Sequence, residues 1–440
     1  MRNLADYMLI FRSINVLKIL DTSETDAHNE PMHIFRKRRI YLDYASATPL
    51  HAEAKDAYNR ANELIGNPGT IHADGVAAAN SLRESRERIA AELGCKAREI
   101  IFTGGLTEAN NLAILGFARR LELSGKDLKD THWVVSAIEH PSVLECFGEV
   151  ERKGGTVTFV EPESNGRIAP EKLERALRPN TVFVSIGWAN SEIGTVQRLR
   201  SLAQTIHASS KPTSQTCGLT NIIFHSDAGQ APLYLAPNVH TLDVDLFSIG
   251  SGKLYGPRGI GALFVGKRAT IAPVIIGGGQ ERGLRPGTEM PALAAGFAAA
   301  LVATRKERHN ESKRLSTLRD MLLQKITVAI PDMVVNGSTS LTTGGDIKHT
   351  LPHMLNISIP SIQSEYLVLA LDRAGIALST KAACSEGKEG NSHVVAALHG
   401  NDSWEARNTL RFSLGKETTA RDITRCAEAL MQAVSASKTL

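Results

Sequence analysis

The chain has little that would place it outside a reducing, aqueous compartment. Its five cysteines (Cys95, Cys146, Cys217, Cys384 and Cys426) are scattered, odd in number and never spaced as C-x-x-C. That excludes a disulfide framework and a zinc site of the usual spacing, and it fits a cytoplasmic protein. No apolar run reaches the length needed to cross a bilayer, so no membrane partner is expected. The apolar patch from Tyr7 to Phe11 is broken by Arg12 and Lys18 and lacks a small-residue cleavage site, unlike a secretory signal. Charge of one sign is also scarce. Fifty Lys and Arg stand against 46 Asp and Glu, a net of +4 without a polybasic block. Nucleic acid is therefore not an expected ligand. Internal repeats, low-complexity segments and a Walker lysine pattern are missing too.

What is present is a large globular chain. At 440 residues, 42% of them hydrophobic, it is too long for one compact domain. Residues 1–38 read as an N-terminal extension, because core-like sequence begins only at Ile40-Tyr-Leu-Asp-Tyr44. From there strand and helix signals alternate. Glu99–Thr103, Trp133–Ser136, Thr156–Val160, Val182–Ile186, Ile222–His225 and Val244–Ile249 read as short buried strands. Thr107–Leu121, Pro170–Leu177 and Leu199–Ala208 read as helices between them. This predicts an α/β domain over 39–290 with a mainly parallel sheet and helices on both faces. Within it, 39–60 is expected to pack with the C-terminal part. A long helix from Pro291 to about Ile330 leads into a smaller α+β domain, 291–440, which ends in a helix near 420–436. Ser209–Leu219 is polar and reads as a surface loop.

Five segments carry candidate chemistry. Lys253 follows a strand-like run and sits among glycines, Ser251-Gly-Lys-Leu-Tyr-Gly256. A lysine so held can form a Schiff base with an aldehyde cofactor. The strand-to-helix turn Phe102-Thr-Gly-Gly-Leu-Thr-Glu108 offers free N–H groups and the Thr107 hydroxyl to a phosphate, although an ordinary helix start looks the same. Asp227 ends a strand, where ligands bind in open α/β sheets, and can pair with a protonated pyridine nitrogen or simply cap a helix. His140 is flat and titratable near neutrality, which also suits a structural histidine. Cys384 lies in the small, polar segment Ser379–Asn391, with Lys381 and Lys388 near enough to favour a thiolate, or is incidental there.

In this order the segments resemble one family, the cysteine desulfurases of the NifS type, class V aminotransferase-like enzymes that use pyridoxal 5′-phosphate on fold type I. The resemblance spans about residues 40 to 435. It rests on Tyr41-Leu-Asp-Tyr-Ala-Ser-Ala-Thr-Pro49, Gly66-Asn-Pro68 with His72, Phe102–Asn111, Glu139-His-Pro-Ser-Val143 and Asn190-Ser-Glu-Ile-Gly194. It continues through His225–Gln230, Lys253-Leu-Tyr-Gly-Pro257, Gly277–Arg282 with Arg285-Pro-Gly-Thr288, Ala383-Cys384 and Arg411-Phe-Ser-Leu-Gly415.

The resemblance implies roles. Lys253 holds the cofactor aldehyde, Asp227 pairs with the ring nitrogen, and His140 stacks on the ring. Asn190 and Gln230 bond the ring hydroxyl side. Thr107 and the backbone around Leu106 hold the phosphate, reached also by Thr288 from the partner of a homodimer. Arg411 binds the substrate carboxylate, a task suited to guanidinium, and Asn67 matches a further substrate position. Cys384 takes sulfur from L-cysteine as a persulfide, leaving alanine, and passes it to an acceptor or scaffold protein for iron–sulfur cluster or thio-cofactor assembly. No metal is implied. Two rival readings remain: a selenocysteine lyase, and a cofactor-poor homologue acting as a sulfur-relay or assembly partner.

The pattern departs from the family at Gly250 and Gly252, where serine and histidine normally contact the phosphate. Hydrogen bonds to charged groups are worth about 1.5–3 kcal/mol each, so two losses weaken cofactor binding by a few orders of magnitude unless something compensates. Ser251 or the backbone N–H groups near the glycines are the expected compensation.

Overall fold

The computed structural model describes residues 38–210, 221–338, 349–380 and 391–437. The expected loop Ser209–Leu219 lies outside the described residues from position 211 on, and so do Cys217 and Cys384. The chain divides into two units, Met1–Arg38 and Arg39–Leu440; the architecture here is that of the second.

In chain order its elements begin with β1 (Ile40–Tyr41), α1 (Ala52–Asn62), α2 (Ala73–Leu93), β2 (Ile100–Thr103), α3 (Leu106–Leu123), β3 (His132–Ser136), α4 (Pro141–Arg152) and β4 (Thr156–Val160). Then come α5 (Pro170–Ala176), β5 (Thr181–Ser185), α6 (Leu199–Ser209), β6 (Ile223–Asp227), α7 (Val239–Leu242), β7 (Leu246–Gly250) and β8 (Gly261–Val265). The remainder is α8 (Pro291–Ala329), β9 (Val334–Val335), β10 (Met354–Ser358), α9 (Ser364–Arg373), β11 (Ile376–Ala377), α10 (His393–His399), α11 (Trp404–Arg407), β12 (Thr409–Ser413) and α12 (Ala420–Ser437).

Seven strands form the main sheet in the order β2-β8-β7-β6-β5-β3-β4. β3, β4, β5, β6 and β7 pair in parallel, and β8 runs antiparallel to both β7 and β2. All but the edge strand β4 are buried on both faces, and their side chains sort by parity. Phe102, Val134, Val184, Phe224, Phe247 and Phe264 join one apolar core. Their neighbours Ile101, Trp133, Val135, Phe183, Ile223, Leu246 and Leu263 join another. Successive strand residues point to opposite faces, so continuous apolar runs are what a sheet covered on both sides requires. Each such side chain contributes about 1.5–3 kcal/mol of transfer free energy.

A three-stranded sheet, β12-β10-β9, is fully antiparallel, and β1 pairs in parallel with β11. Among the described residues no helix is long and apolar enough to cross a membrane. The helices α1, α2 and α4 were not anticipated. His51, His72 and His140 cap them with ring nitrogens, and the usual Ser, Thr, Asp or Asn signal is missing at all three starts.

Candidate active site

β8 reverses direction between β2 and β7, which leaves β2, β3, β5, β6 and β7 pointing the same way. The turns that follow these strands hold Gly104–Leu106, Glu139–His140, Gly187–Asn190, Asp227–Gln230 and Lys253. All of them wall a single cavity of about 790 Å³, joined by Ala45, Ser46 and Arg411. This is the carboxyl edge of an open α/β sheet, where such folds bind ligands.

Lys253 stands in a tight 3-10 turn, Ser251–Lys253, directly after β7. Its Nζ donates to the carbonyls of Ala45 at 2.7 Å and Ser46 at 3.1 Å. Gln230 Nε2 donates to the same Ala45 carbonyl at 2.8 Å. The segment after β1 is therefore pinned over the amine.

Asp227, last residue of β6, accepts from Gly229 N at 2.8 Å through Oδ1 and from Asn110 Nδ2 at 2.7 Å through Oδ2. Asn110 also donates to Ser142 Oγ at 2.9 Å, and Ser142 Oγ lies 2.8 Å from His140 Nδ1. The amide N–H of Ser142 donates to the same Nδ1 at 3.1 Å. An amide N–H can only donate, so Nδ1 accepts and the neutral ring carries its hydrogen on Nε2. A hydrogen-bonded line thus joins the carboxylate to the histidine.

Glu139 is buried in the same wall and accepts from Gly187 N at 2.8 Å. Burial, opposed by that N–H and reinforced by the Asp227 charge, pushes its carboxyl up to about 8.

Arg411, on β12, is buried and enters from the smaller sheet. Its guanidinium donates to Asp43 Oδ1 at 2.7 Å, Ser46 Oγ at 2.7 Å and Ser191 O at 3.1 Å, while Nε has no hydrogen-bond partner among the described residues. Asn190 accepts from Glu192 N and Ile193 N, and donates to Ile138 O at 2.9 Å, so it shapes its own turn.

The opposite end of the cavity is the start of α3. Gly105, the N-cap, has φ of 149°, a value that favours glycine, and no side chain caps the helix. The first-turn N–H groups of a helix have no intrahelical acceptor and carry its positive pole. Thr107 lines the cavity beside them, and Arg285 pairs with Glu108 at 2.9 Å on the rim. A half-buried amine, a facing carboxylate, a flat imidazole and an anion-attracting helix end fit pyridoxal 5′-phosphate in kind. The fit is thin in one respect, since the strand-end positions 250 and 252 bring no side-chain donor to the phosphate.

Of the residues singled out in the sequence, Lys253, Asp227, His140, Asn190, Gln230, Leu106, Thr107 and Arg411 meet at this cavity. Ser251, Thr288 and Asn67 are not on its wall. Ser251 is fully buried, and Gly256 folds back over it so closely that a Cβ there would stand 2.2 Å from Ser251 Oγ. Its Oγ is buried without a hydrogen-bond partner among the described residues and does not reach the cavity wall. Thr288 and Asn67 are exposed, and Asn67 Oδ1 accepts from Gly69 N at 2.9 Å within its own turn. Cys384 lies outside the described residues. On either side of its segment, Ser379 pairs with Arg411 through the backbone, and His393 Nε2 lies 2.9 Å from the Glu139 carbonyl. The three described free cysteines, Cys95, Cys146 and Cys426, line no part of the cavity, and burial pushes their thiols up to about 12.

Asn110, Ser142, Glu139, Asp43 and Ser46 were missed in the sequence. Asn110 sits one helical turn past Leu106, and Ser142 two residues past His140; that spacing was the available signal.

The Aminotransferase class-V family matches residues 40–426. A curated relative, cysteine desulfurase IscS of Dictyoglomus turgidum, is 37% identical over 406 residues, 92% of this chain and 96% of its own length. Among solved structures, a NifS-like protein superposes with a TM-score of 0.78 at 27% identity, covering 90% of this chain and 99% of its own. SspA in complex with cysteine has a TM-score of 0.69 at 30% identity, covering 85% and 98%. The chain belongs to the class V aminotransferase family, among its cysteine desulfurases.

Proposed function

We propose that this protein is a pyridoxal 5′-phosphate-dependent cysteine desulfurase that works as a homodimer and hands sulfur to an acceptor protein. One observation carries the reading. Lys253, Asp227, His140 and the buried Arg411 come from four separated segments and face one cavity.

What pyridoxal 5′-phosphate supplies when bound is an electron sink for the substrate Cα. The remaining work belongs to the chain. Arg411 binds the α-carboxylate of cysteine bidentately, held ready by Asp43, Ser46 and Ser191. Lys253 Nζ moves the proton at Cα, and the Ala45 and Ser46 carbonyls keep that nitrogen at the cavity wall. Asp227, steadied by two hydrogen bonds, would pair with the ring nitrogen of the bound cofactor. Cys384 attacks the substrate sulfur as a thiolate. An S–S bond forms, the C–S bond breaks with its electron pair left on carbon, and that carbon takes up a proton as alanine forms. The exposed Thr288 completes the phosphate site of the partner subunit.

The test is release of alanine and sulfide from L-cysteine in the presence of a thiol reductant. Wild type should turn over and Cys384→Ala should not. In parallel, a visible absorbance band on cofactor loading should vanish in Lys253→Ala. Absence of that band in wild type, or equal alanine release by Cys384→Ala, overturns the reading.

A further inference from the structure

Between Asp227 and Lys253 the cavity floor is apolar, because Leu106 lies against the ends of β6 and β7. A Cβ added at Gly229 would stand 2.5 Å from Leu106 Cδ2, and one added at Gly250 would stand 2.8 Å from Leu106 Cβ. Carbon atoms do not approach that closely, and a packed interior does not give way to accommodate them. Gly250 has an ordinary extended backbone, φ −129° and ψ 128°, which any residue adopts. Glycine is therefore not required there by conformation; the demand is for space, and Leu106 makes it. Gly252 is different. A Cβ there would meet Arg258 Cγ at 3.3 Å, the stem of an exposed side chain that can move.

Resting on the reading of this cavity as a pyridoxal 5′-phosphate site, we propose that Leu106 and Gly250 are a size-matched pair that sets how firmly the phosphate is held. Leu106 excludes any side-chain donor from the β7 end. The anion is gripped from the α3 side, by first-turn N–H groups and the Thr107 hydroxyl. The Ser251 hydroxyl, off the cavity wall, gives the anion no second grip from the β7 side. A one-sided grip makes the phosphate count for less in binding. The cup then separates the phosphorylated cofactor from pyridoxal less sharply than a two-sided cup does.

The experiment uses the full chain, stripped of cofactor, as wild type, Leu106→Gly, Gly250→Ser and the double variant, because only glycine at 106 removes the Cβ that stands 2.8 Å from a Cβ at 250. Dissociation constants for pyridoxal 5′-phosphate and for pyridoxal are read by fluorescence titration, with thermal unfolding of the cofactor-free proteins alongside. Gly250→Ser alone should lower the unfolding temperature and weaken binding of both ligands. The double variant should regain the unfolding temperature and bind pyridoxal 5′-phosphate at least about tenfold more tightly than wild type, with no gain for pyridoxal, because only the phosphate meets the new hydroxyl. If Gly250→Ser fails to fold, the double variant still decides, since it removes the bulk that blocks the serine. The pairing is overturned if Gly250→Ser is tolerated with Leu106 in place, or if the double variant gains nothing for the phosphorylated ligand. If no protein, wild type included, binds pyridoxal 5′-phosphate, the reading of the cavity falls and the proposal falls with it. Binding by wild type that is insensitive to the pair overturns the proposal alone.

Discussion

Asn110 is the residue whose removal best probes how the site is held together. It is fully buried in the first turns of α3, and both hydrogens of its amide are in use, one on Asp227 Oδ2 at 2.7 Å and one on Ser142 Oγ at 2.9 Å. Its Oδ1 is buried without a partner among the described residues. Turning the amide over would satisfy that oxygen only by setting it against an acceptor-only carboxylate, so the charge on Asp227 dictates the orientation. Asn110→Ala removes one hydrogen bond to a charged group, worth about 1.5–3 kcal/mol, and one to a hydroxyl, worth about 1 kcal/mol. Relief of the orphaned oxygen returns about 1 kcal/mol or more. The expected net loss is about 2 kcal/mol. Equilibrium urea unfolding of the cofactor-free protein measures it without contribution from bound ligand. Ser142→Ala should cost less, and the two changes should fall short of additivity by about 0.5 kcal/mol or more, because they share one bond. A loss below about 0.5 kcal/mol for Asn110→Ala, or strict additivity with Ser142→Ala, would refute the idea that Asp227 is steadied through this line.

Three other outcomes follow from the same geometry. Glu281, buried at positive φ, binds Arg86 through two contacts of 2.6 Å and accepts from Phe102 N at 3.0 Å. Glu281→Ala should cost about 3 kcal/mol in chemical denaturation, the low end for a buried pair because Arg86 is partly exposed. Burial raises the Glu139 carboxyl from the ordinary 4.5 to about 8. The folded state holds that proton more tightly, so the stability it contributes is full below pH 4.5 and lost as pH climbs through about 8. Glu139→Gln should therefore gain on wild type steadily between about pH 5 and pH 8.5 in unfolding measurements, and parallel curves would count against the assignment. Arg411→Lys keeps the charge but not the fork, so the KM for cysteine should rise about tenfold or more while Asp43 retains an ion partner; an unchanged KM would remove Arg411 from the substrate.

The central strands and α3 were legible because strands covered on both faces write continuous apolar runs, and Phe183 or Phe247 has no other place to go. Lys253, Asp227 and His140 were legible because each ends or follows such a strand, where the backbone itself aims a side chain at the carboxyl edge. α1, α2 and α4 were not, since a histidine ring nitrogen caps each of them in place of the usual small polar residue. Their apolar faces are also alanine-rich in α1 and α2, which dulls the periodicity. Asn110 and Asp43 were hidden for a deeper reason. Each works through a partner more than a hundred residues away, Asp227 and Arg411, so nothing local marks either of them.

Gly250 shows how the same distance can mislead. From the sequence, a glycine after a strand reads as a missing phosphate ligand, a loss. In the fold it answers Leu106, 144 positions earlier, whose Cβ leaves no room for a neighbour's. A loss at one position and a gain at another are then one change in the shape of the cup. That is why a single substitution at either position should look harmful, and why only the pair, changed together, reports what the cavity floor does to the cofactor.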